Sequence, residues 1–242
     1  MRYEKIIKGI FKDRPNRFIA HVEIEGTLET VHVKNTGRCK ELLIPGCTVI
    51  LEDFRNRSGY ENRKTKFDLI AVYKNLDQNH PLYKKHKSLL INMDSQAPNK
   101  VVAEWLALQD YDFVKPEFTY GNSRVDFYME KKNPSSKNQK VLSFQKFLME
   151  VKGCTLEKNG TGYFPDAPTE RGVKHLRELA SASKLGIKCF LAFVIQIPEI
   201  KEVLPNLETH PEFGQALEEA KKAGVEVLFL QCSVSENELK II

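Results

Sequence analysis

The sequence predicts a mixed α/β protein in two parts, a small β-barrel followed by an α/β domain. Three observations lead there. Residues 17–74 hold short apolar–polar alternations separated by polar turns, the mark of half-buried strands. Residues 145–231 read strand, helix, strand, helix, strand, an order that needs a mixed or parallel sheet with helices on its faces. Between them runs the connection "NLDQNHPLYKKHKSLL", which divides the chain into residues 1–82 and 83–242.

The elements follow in order. "RFIAHVEIEG" alternates through Phe18, Ala20, Val22 and Ile24, and Gly26-Thr27 turns it into "LETVHVK". "KNTGRCKELLIPG" is a loop punctuated by Asn-Thr-Gly and Pro-Gly. "CTVILEDF" and "KFDLIAVYKN" are two further strands joined by the polar "RNRSGYENRK". Short strands joined by basic loops suggest a barrel, with the oligonucleotide-binding type one candidate among small barrels. "APNKVVAEWLALQDY" is helical, with Asn99 as its cap and Val101, Val102, Trp105 and Leu108 on one side. "EFTYGN", "RVDFYME" and "QKFLMEVKGCTL" are strands, the last two separated by the polar "KKNPSSKNQK", expected to be solvated and mobile. "TERGVKHLRELASASKL" is a helix capped by Thr169 and closed by Gly186. "IKCFLAFVIQI" is apolar throughout, as at a sheet centre. "PEFGQALEEAKKAG" and "VEVLFLQ" supply the last helix and strand.

Composition narrows the function. With 242 residues, 41% of them apolar, the chain can bury a substantial core. No apolar run approaches the ~20 residues of a membrane span, and the N-terminus lacks a secretory apolar run. The expected compartment is the cytoplasm, with no membrane partner. Cys39, Cys47, Cys154, Cys189 and Cys232 form no Cys-x-x-Cys pair, which argues against a disulfide framework and a zinc knuckle. The net charge is +5, and residues 1–80 hold 15 basic against 11 acidic residues. That weakly favours an anionic partner and locates it toward the N-terminal third.

The chemistry centres on "FLMEVKGCTL". Glu-x-Lys occurs five times in the chain, but only the Glu150 copy lies in an apolar strand. Alternation puts Phe147, Met149 and Val151 on one face and Glu150 and Lys152 on the other. In "RVDFYM", Asp126 points away from Val125, Phe127 and Met129. If the strands pair, one face is core and the other gathers Asp126, Glu150 and Lys152, with Glu104 on the preceding helix as a third acid. Metal-assisted phosphodiester hydrolysis needs such a set. Two carboxylates hold Mg²⁺ (or Mn²⁺) while open positions remain for phosphate and water, and the lysine attends the water or the developing charge. The plainer alternative is a Glu–Lys ion pair facing solvent, worth ~0–1 kcal/mol. A second cluster, Arg171, Lys174 and His175, shares a face in the first two turns of the Thr169 helix, where a phosphate would fit.

These stretches resemble one family, the bacterial and archaeal sugar fermentation stimulation protein A family. The resemblance runs through "NRFIAHVEIEG", "KNTGRCKELLIPG", "SRVDFYME", "MEVKGCTL", "GYFPDAPTERGVKHLREL" and "AGVEVLFL", nearly the whole chain. It implies an oligonucleotide-binding-type barrel followed by a restriction-endonuclease-like, PD-(D/E)xK domain, with DNA binding and regulation of sugar metabolism genes. It implies Asp126 and Glu150 as metal ligands, the Val151 carbonyl as a further one, Lys152 beside the water and Glu104 as the helix acid. The chain departs from the family pattern at Lys34, where members often carry proline, and at Gly153-Cys154, where they often carry Asn-Val.

Two functions compete. One is a metal-dependent DNA nuclease without sequence preference. The other is a non-catalytic DNA-binding regulator of sugar (maltose) metabolism genes. A carbohydrate-binding reading is weaker, since the single tryptophan, Trp105, sits in a helix. A binding surface gains nothing from acids facing phosphate unless a cation lies between, which favours the nuclease. Expected DNA contacts are Lys34 and Arg38 in the first barrel loop, Arg55 and Arg57 in the next, and Arg171, Lys174 and His175 on the helix. No helix-turn-helix or zinc pattern reads base edges. A homodimer would suit double-strand cleavage, and the sequence leaves oligomeric state open.

Overall fold

The computed structural model describes residues 1–121, 123–133 and 143–242. Of the polar connection 131–140, residues 134–140 lie outside the described residues.

Five strands close the barrel: β1 (Ile6–Asn16), β2 (Ile19–Ile24), β3 (Thr27–Val33), β4 (Thr48–Asp53) and β5 (Phe67–Asn75). Their order is β3-β2-β1-β4-β5, and a short parallel pairing of β3 with β5 seals the ring. The strand missing from the sequence reading is β1, which lies between β2 and β4. Its inward positions are Gly9 and Phe11, so half of its apolar signal is a glycine. A Cβ at Gly9 would collide with Val22 Cγ1, so the wall accepts no side chain there. The β2–β3 turn is Glu25-Gly26, not Gly26-Thr27. Both residues have positive φ, 51° and 80°, as a two-residue hairpin matching the strand twist requires. After residue 82 the barrel sheet continues, because β6 (Ser88–Asn92) pairs with β5.

The second part begins with α1 (Ala97–Leu106), then β7 (Phe113–Tyr120), β8 (Ser123–Lys132) and β9 (Phe144–Cys154). A three-stranded flap follows from β10 (Leu156–Lys158), β11 (Thr161–Phe164) and, later, β13 (Val203–Pro205). Between and after these come α2 (Glu170–Lys184), β12 (Lys188–Ile195), α3 (Pro211–Lys222), β14 (Glu226–Ser235) and β15 (Glu238–Ile241). The main sheet runs β15-β14-β12-β9-β8-β7, with β12 central and parallel to both neighbours. This is the mixed α/β architecture the residue pattern predicts.

Helices cover both faces of this sheet. Phe127, Met129, Met149, Val151, Ala192 and Val194 pack on the α1 side. Leu148, Leu191 and Phe193 pack with Leu176 and Leu179 of α2 and Phe213 of α3, in a core continuous with the barrel interior. Leu108 lies beyond the end of α1 and is exposed. A buried polar seam joins the two parts. Asn92 Nδ2 donates to Tyr3 Oη at 3.0 Å, Gln196 Nε2 donates to Asn92 Oδ1 at 2.8 Å, and Tyr3 Oη donates to Asp94 Oδ2 at 3.1 Å. Among the described residues no helix is long and apolar enough to cross a membrane.

Candidate active site

The site lies where β8 and β9 part. Their ladder ends at Phe127↔Met149, and the same register would set Asp126 opposite Glu150. Instead the strands diverge, and the Val151 amide donates to Asp126 Oδ2 at 2.7 Å. Asn99 Nδ2 donates to Asp126 Oδ1 at 2.8 Å. Asn99 therefore orients an acid and does not cap α1. The helix starts at Ala97 with Pro98 in its first turn, where a missing N–H costs nothing. The Gln96 amide is satisfied by Asp94 Oδ1 at 2.9 Å.

Glu150 and Lys152 share a face, as alternation dictates, and Lys152 Nζ donates to Glu150 Oε1 at 2.5 Å. That face is not open. Helix α2 covers it, leaving Glu150 3% exposed. His175 meets Glu150 Oε1 through Nδ1, and Arg171 Nε donates to His175 Nε2 at 3.3 Å. A nitrogen that accepts carries no proton, so the ring proton sits on Nδ1 and points at Glu150.

The electrostatics divide the two acids. Burial pushes Glu150 up, but His175 and Lys152 outweigh it and hold its carboxyl below the ordinary range. Asp126 is held above its range by burial and then by the charge of Glu150, despite its bonds to the Val151 amide and Asn99. A cation between the two acids would relieve that repulsion. The donor set suits one. Among the described residues both hydrogen bonds to Glu150 fall on Oε1 and Oε2 has no donor, and each Asp126 oxygen keeps a lone pair. Hard oxygens in this number fit an ion that retains several waters, as Mg²⁺ does. Among the described residues no group of three or more His, Cys, Asp or Glu converges as a metal cage.

Glu104 does not join the pair. It bonds the Met1 ammonium at 2.6 Å. It follows Asn99 by five residues, about 140° around the helix, so when Asn99 faces Asp126 the Glu104 side chain points elsewhere. Two of the expected DNA contacts are likewise corrected. Lys34 Nζ is paired at 2.9 Å with fully buried Asp94, and only 11% of its side chain is exposed. His175 is 8% exposed and engaged with Glu150.

The other expected contacts divide. Arg55 is bonded to Asp53 through Nε and Nη2 at 3.1 and 3.0 Å. Arg57 bonds Glu52 at 3.1 Å and Glu4 at 2.9 Å while lying over Tyr60. Lys174 is exposed on α2 with Glu178 at 3.7 Å, and Arg171 is exposed beside it. Arg38 lines a cleft of about 920 Å³ between the barrel and the α/β domain.

Sequence reasoning missed the rest of that cleft. Arg14, Arg17 and Lys40 line it from the barrel side, facing Asn99, Val151 and Asp166. Arg14 spends its guanidinium on the Gly37, Arg38, Arg17 and Asn35 carbonyls at 2.6–2.9 Å, which fixes the loop without neutralising the charge. Among the described residues Arg14, Arg17, Arg38 and Lys40 form no ion pair. Two of them sit in "KDRPNR" at the end of β1, the strand whose pattern Gly9 concealed. Asp166 is raised above its ordinary range by burial, with Arg14 and Arg38 pulling the other way. It packs directly over Gly37, where a Cβ would strike its carboxylate.

A closed five-stranded barrel followed by a sheet with acids at a strand fork defines a two-domain protein of oligonucleotide-binding and restriction-endonuclease-like type. Family comparison gives the same division. Residues 13–80 match the SfsA N-terminal OB domain, and residues 96–238 match the sugar fermentation stimulation protein RE domain. Sugar fermentation stimulation protein homologues from Clostridium beijerinckii and Desulfitobacterium hafniense strain Y51 are 49% and 48% identical. Their alignments cover 100% and 99% of this chain and 96% and 95% of theirs. The chain belongs to the sugar fermentation stimulation protein family. The solved structure of Pyrococcus furiosus SfsA, a complex with Ca²⁺, shares the fold with a TM-score of 0.75 at 24% identity, covering 100% of this chain and 96% of that one.

Proposed function

We propose that this chain is a DNA-binding protein whose nuclease-type site hydrolyses phosphodiester bonds with little sequence preference. The carrying observation is Glu150: buried, its carboxyl held below the ordinary range by His175 and Lys152, and bonded among the described residues through one oxygen only. The division of labour assigns binding to the barrel, residues 1–82, and chemistry to residues 83–242. Asp126 and Glu150 would hold Mg²⁺ or Mn²⁺, and the Ca²⁺ complex of the Pyrococcus furiosus relative supports a divalent ion. A bound ion polarises a phosphoryl oxygen and lowers the pKa of water. Asn99 and the Val151 amide hold Asp126 in orientation. Lys152, beside Glu150, supplies positive charge to the attacked phosphate. Arg14, Arg17, Arg38 and Lys40 give the cleft an electrostatic track for a phosphate backbone. The cytoplasm is the proposed compartment, and a homodimer would present two such sites to a duplex.

One observation favours a second reading, a DNA-binding regulator of sugar metabolism genes without cleavage. Glu104 turns away to Met1, so two acids stand where three were expected. Supercoiled plasmid separates the readings. Nicking that needs Mg²⁺ or Mn²⁺, stops with EDTA and vanishes in Asp126→Ala is the expected result. Bound but intact plasmid with either metal would reject the nuclease and leave the regulator.

A further inference from the structure

His175 lies on α2, 25 residues from Glu150 in sequence, and ends in the same short chain of hydrogen bonds. Arg171 Nε donates to its Nε2, and its Nδ1 donates to Glu150 Oε1. Thr169 caps α2 by accepting from the Gly172 amide at 3.1 Å, and buried Leu176 and Leu179 fix the rotation of the helix. Arg171 and His175 are spaced i,i+4 and share one helix face, where exposed Arg171 backs buried His175. The acceptance at Nε2 selects the tautomer that donates to Glu150. The bond falls on the oxygen already taken by Lys152, so the carboxylate is gripped through Oε1, and among the described residues Oε2 has no donor. Lys152 alone, on a flexible stem, would leave that carboxylate free to rotate.

We propose that His175 is a positioning residue, which with Arg171 behind it orients the Glu150 carboxylate so that Oε2 serves as the cation-binding oxygen. This rests on the metal-dependent reading above. It also accounts for a largely buried histidine, 8% exposed and bonded to Glu150. Partners of this kind behind a metal ligand typically set affinity by about 10–100-fold.

The test is Mn²⁺ titration by calorimetry, with thermal melting of each variant. His175→Leu fills the space without a donor. His175→Asn returns an N–H to the position of Nδ1. Arg171→Met removes the group that selects the tautomer. The expected result is Mn²⁺ affinity reduced at least about 10-fold in His175→Leu, less in Arg171→Met, and held within about threefold of wild type in His175→Asn. Equal affinity in wild type and His175→Leu would overturn the inference and leave the metal site standing. Equal weakening in His175→Leu and His175→Asn would also overturn it, because the hydrogen bond would then not be the cause. If His175→Leu does not fold, Arg171→Met decides, and wild-type affinity there overturns the inference. A wild-type protein that takes up no Mn²⁺ removes the metal reading and this inference together.

Discussion

Two glutamates seven residues apart, Glu150 and Glu157, are built alike and finished differently. Both are almost fully buried, each is met by one lysine and one histidine, and each carboxyl is held below its ordinary range. Glu157 accepts from Lys74 at 2.6 Å on Oε2, and on Oε1 from His80 at 2.8 Å and the Gly160 amide at 2.5 Å. Both of its oxygens are occupied, and the cluster ties the barrel strand β5 to the flap. Among the described residues Glu150 has both partners on Oε1 and none on Oε2. A buried charge with every acceptor satisfied holds a structure together, whereas one with a free oxygen is prepared for something that arrives later.

Substitutions can break this contrast. The largest effect is expected at the fork, where Asp126→Ala or Glu150→Gln should lower metal-dependent cleavage at least about 10³-fold, the equivalent of several kcal/mol of lost stabilisation, while the protein still melts cooperatively. Glu157→Ala should do the reverse. It leaves Lys74 and His80 facing each other without their acid and should cost about 3–5 kcal/mol of stability, or roughly 2–4 °C in Tm per kcal/mol, with turnover per folded molecule unchanged. Equal losses of activity in the two glutamate variants would collapse the comparison.

A second contrast lies between the arginines. Arg55 and Arg57 are answered by Asp53, Glu52 and Glu4, while Arg38 in the cleft has no acid partner among the described residues. Reversing Arg38 to Glu should weaken DNA binding and lower the salt slope by about one contact's worth, 0.9 on duplex DNA. The same change at Arg55 should move it less. A larger effect at Arg55 would relocate the binding surface to the β4–β5 loop.

Acid sharpens the glutamate comparison through its sign. Glu157 is depressed in the folded state, so its contribution is present above the unfolded value of about 4.3 and fades as pH falls through the lower folded value. The Tm gap between wild type and Glu157→Gln should be widest at neutral pH, begin to narrow below about pH 4.3 and close as pH falls through the lower folded value. Asp166 has the opposite sign. Burial raises it, so its contribution belongs to low pH and is lost as pH rises through the raised value. Asp166→Asn should therefore raise Tm at pH 7, a gain that disappears below about pH 3.9.

Much of this was legible in the residues because it is periodic. Strands β2 to β5, the three helices and the apolar run of β12 each carry their own pattern, and alternation alone puts Glu150 beside Lys152. What stayed hidden depends on contacts between distant segments or on an absent side chain. Gly9 erases the signal of β1. Strands β10 and β13 are three residues each, too short to show a period. Glu104 sits on the expected helix but at the wrong angle, which only the docking of Asn99 reveals. Lys34 is buried by Asp94, sixty residues later, and His175 reaches Glu150 only because α2 packs on the sheet beside β9, against β12. Charge can be counted in a sequence, but its pairing is set by the fold.

The most direct measurement is the stoichiometry of Mn²⁺ binding to wild type, Glu150→Gln and Glu157→Gln, each shown to melt cooperatively. Wild type and Glu157→Gln should bind Mn²⁺, and Glu150→Gln should bind it more than about tenfold more weakly. Absence of binding in the wild type, or equal binding by Glu150→Gln, would contradict a metal site at Glu150.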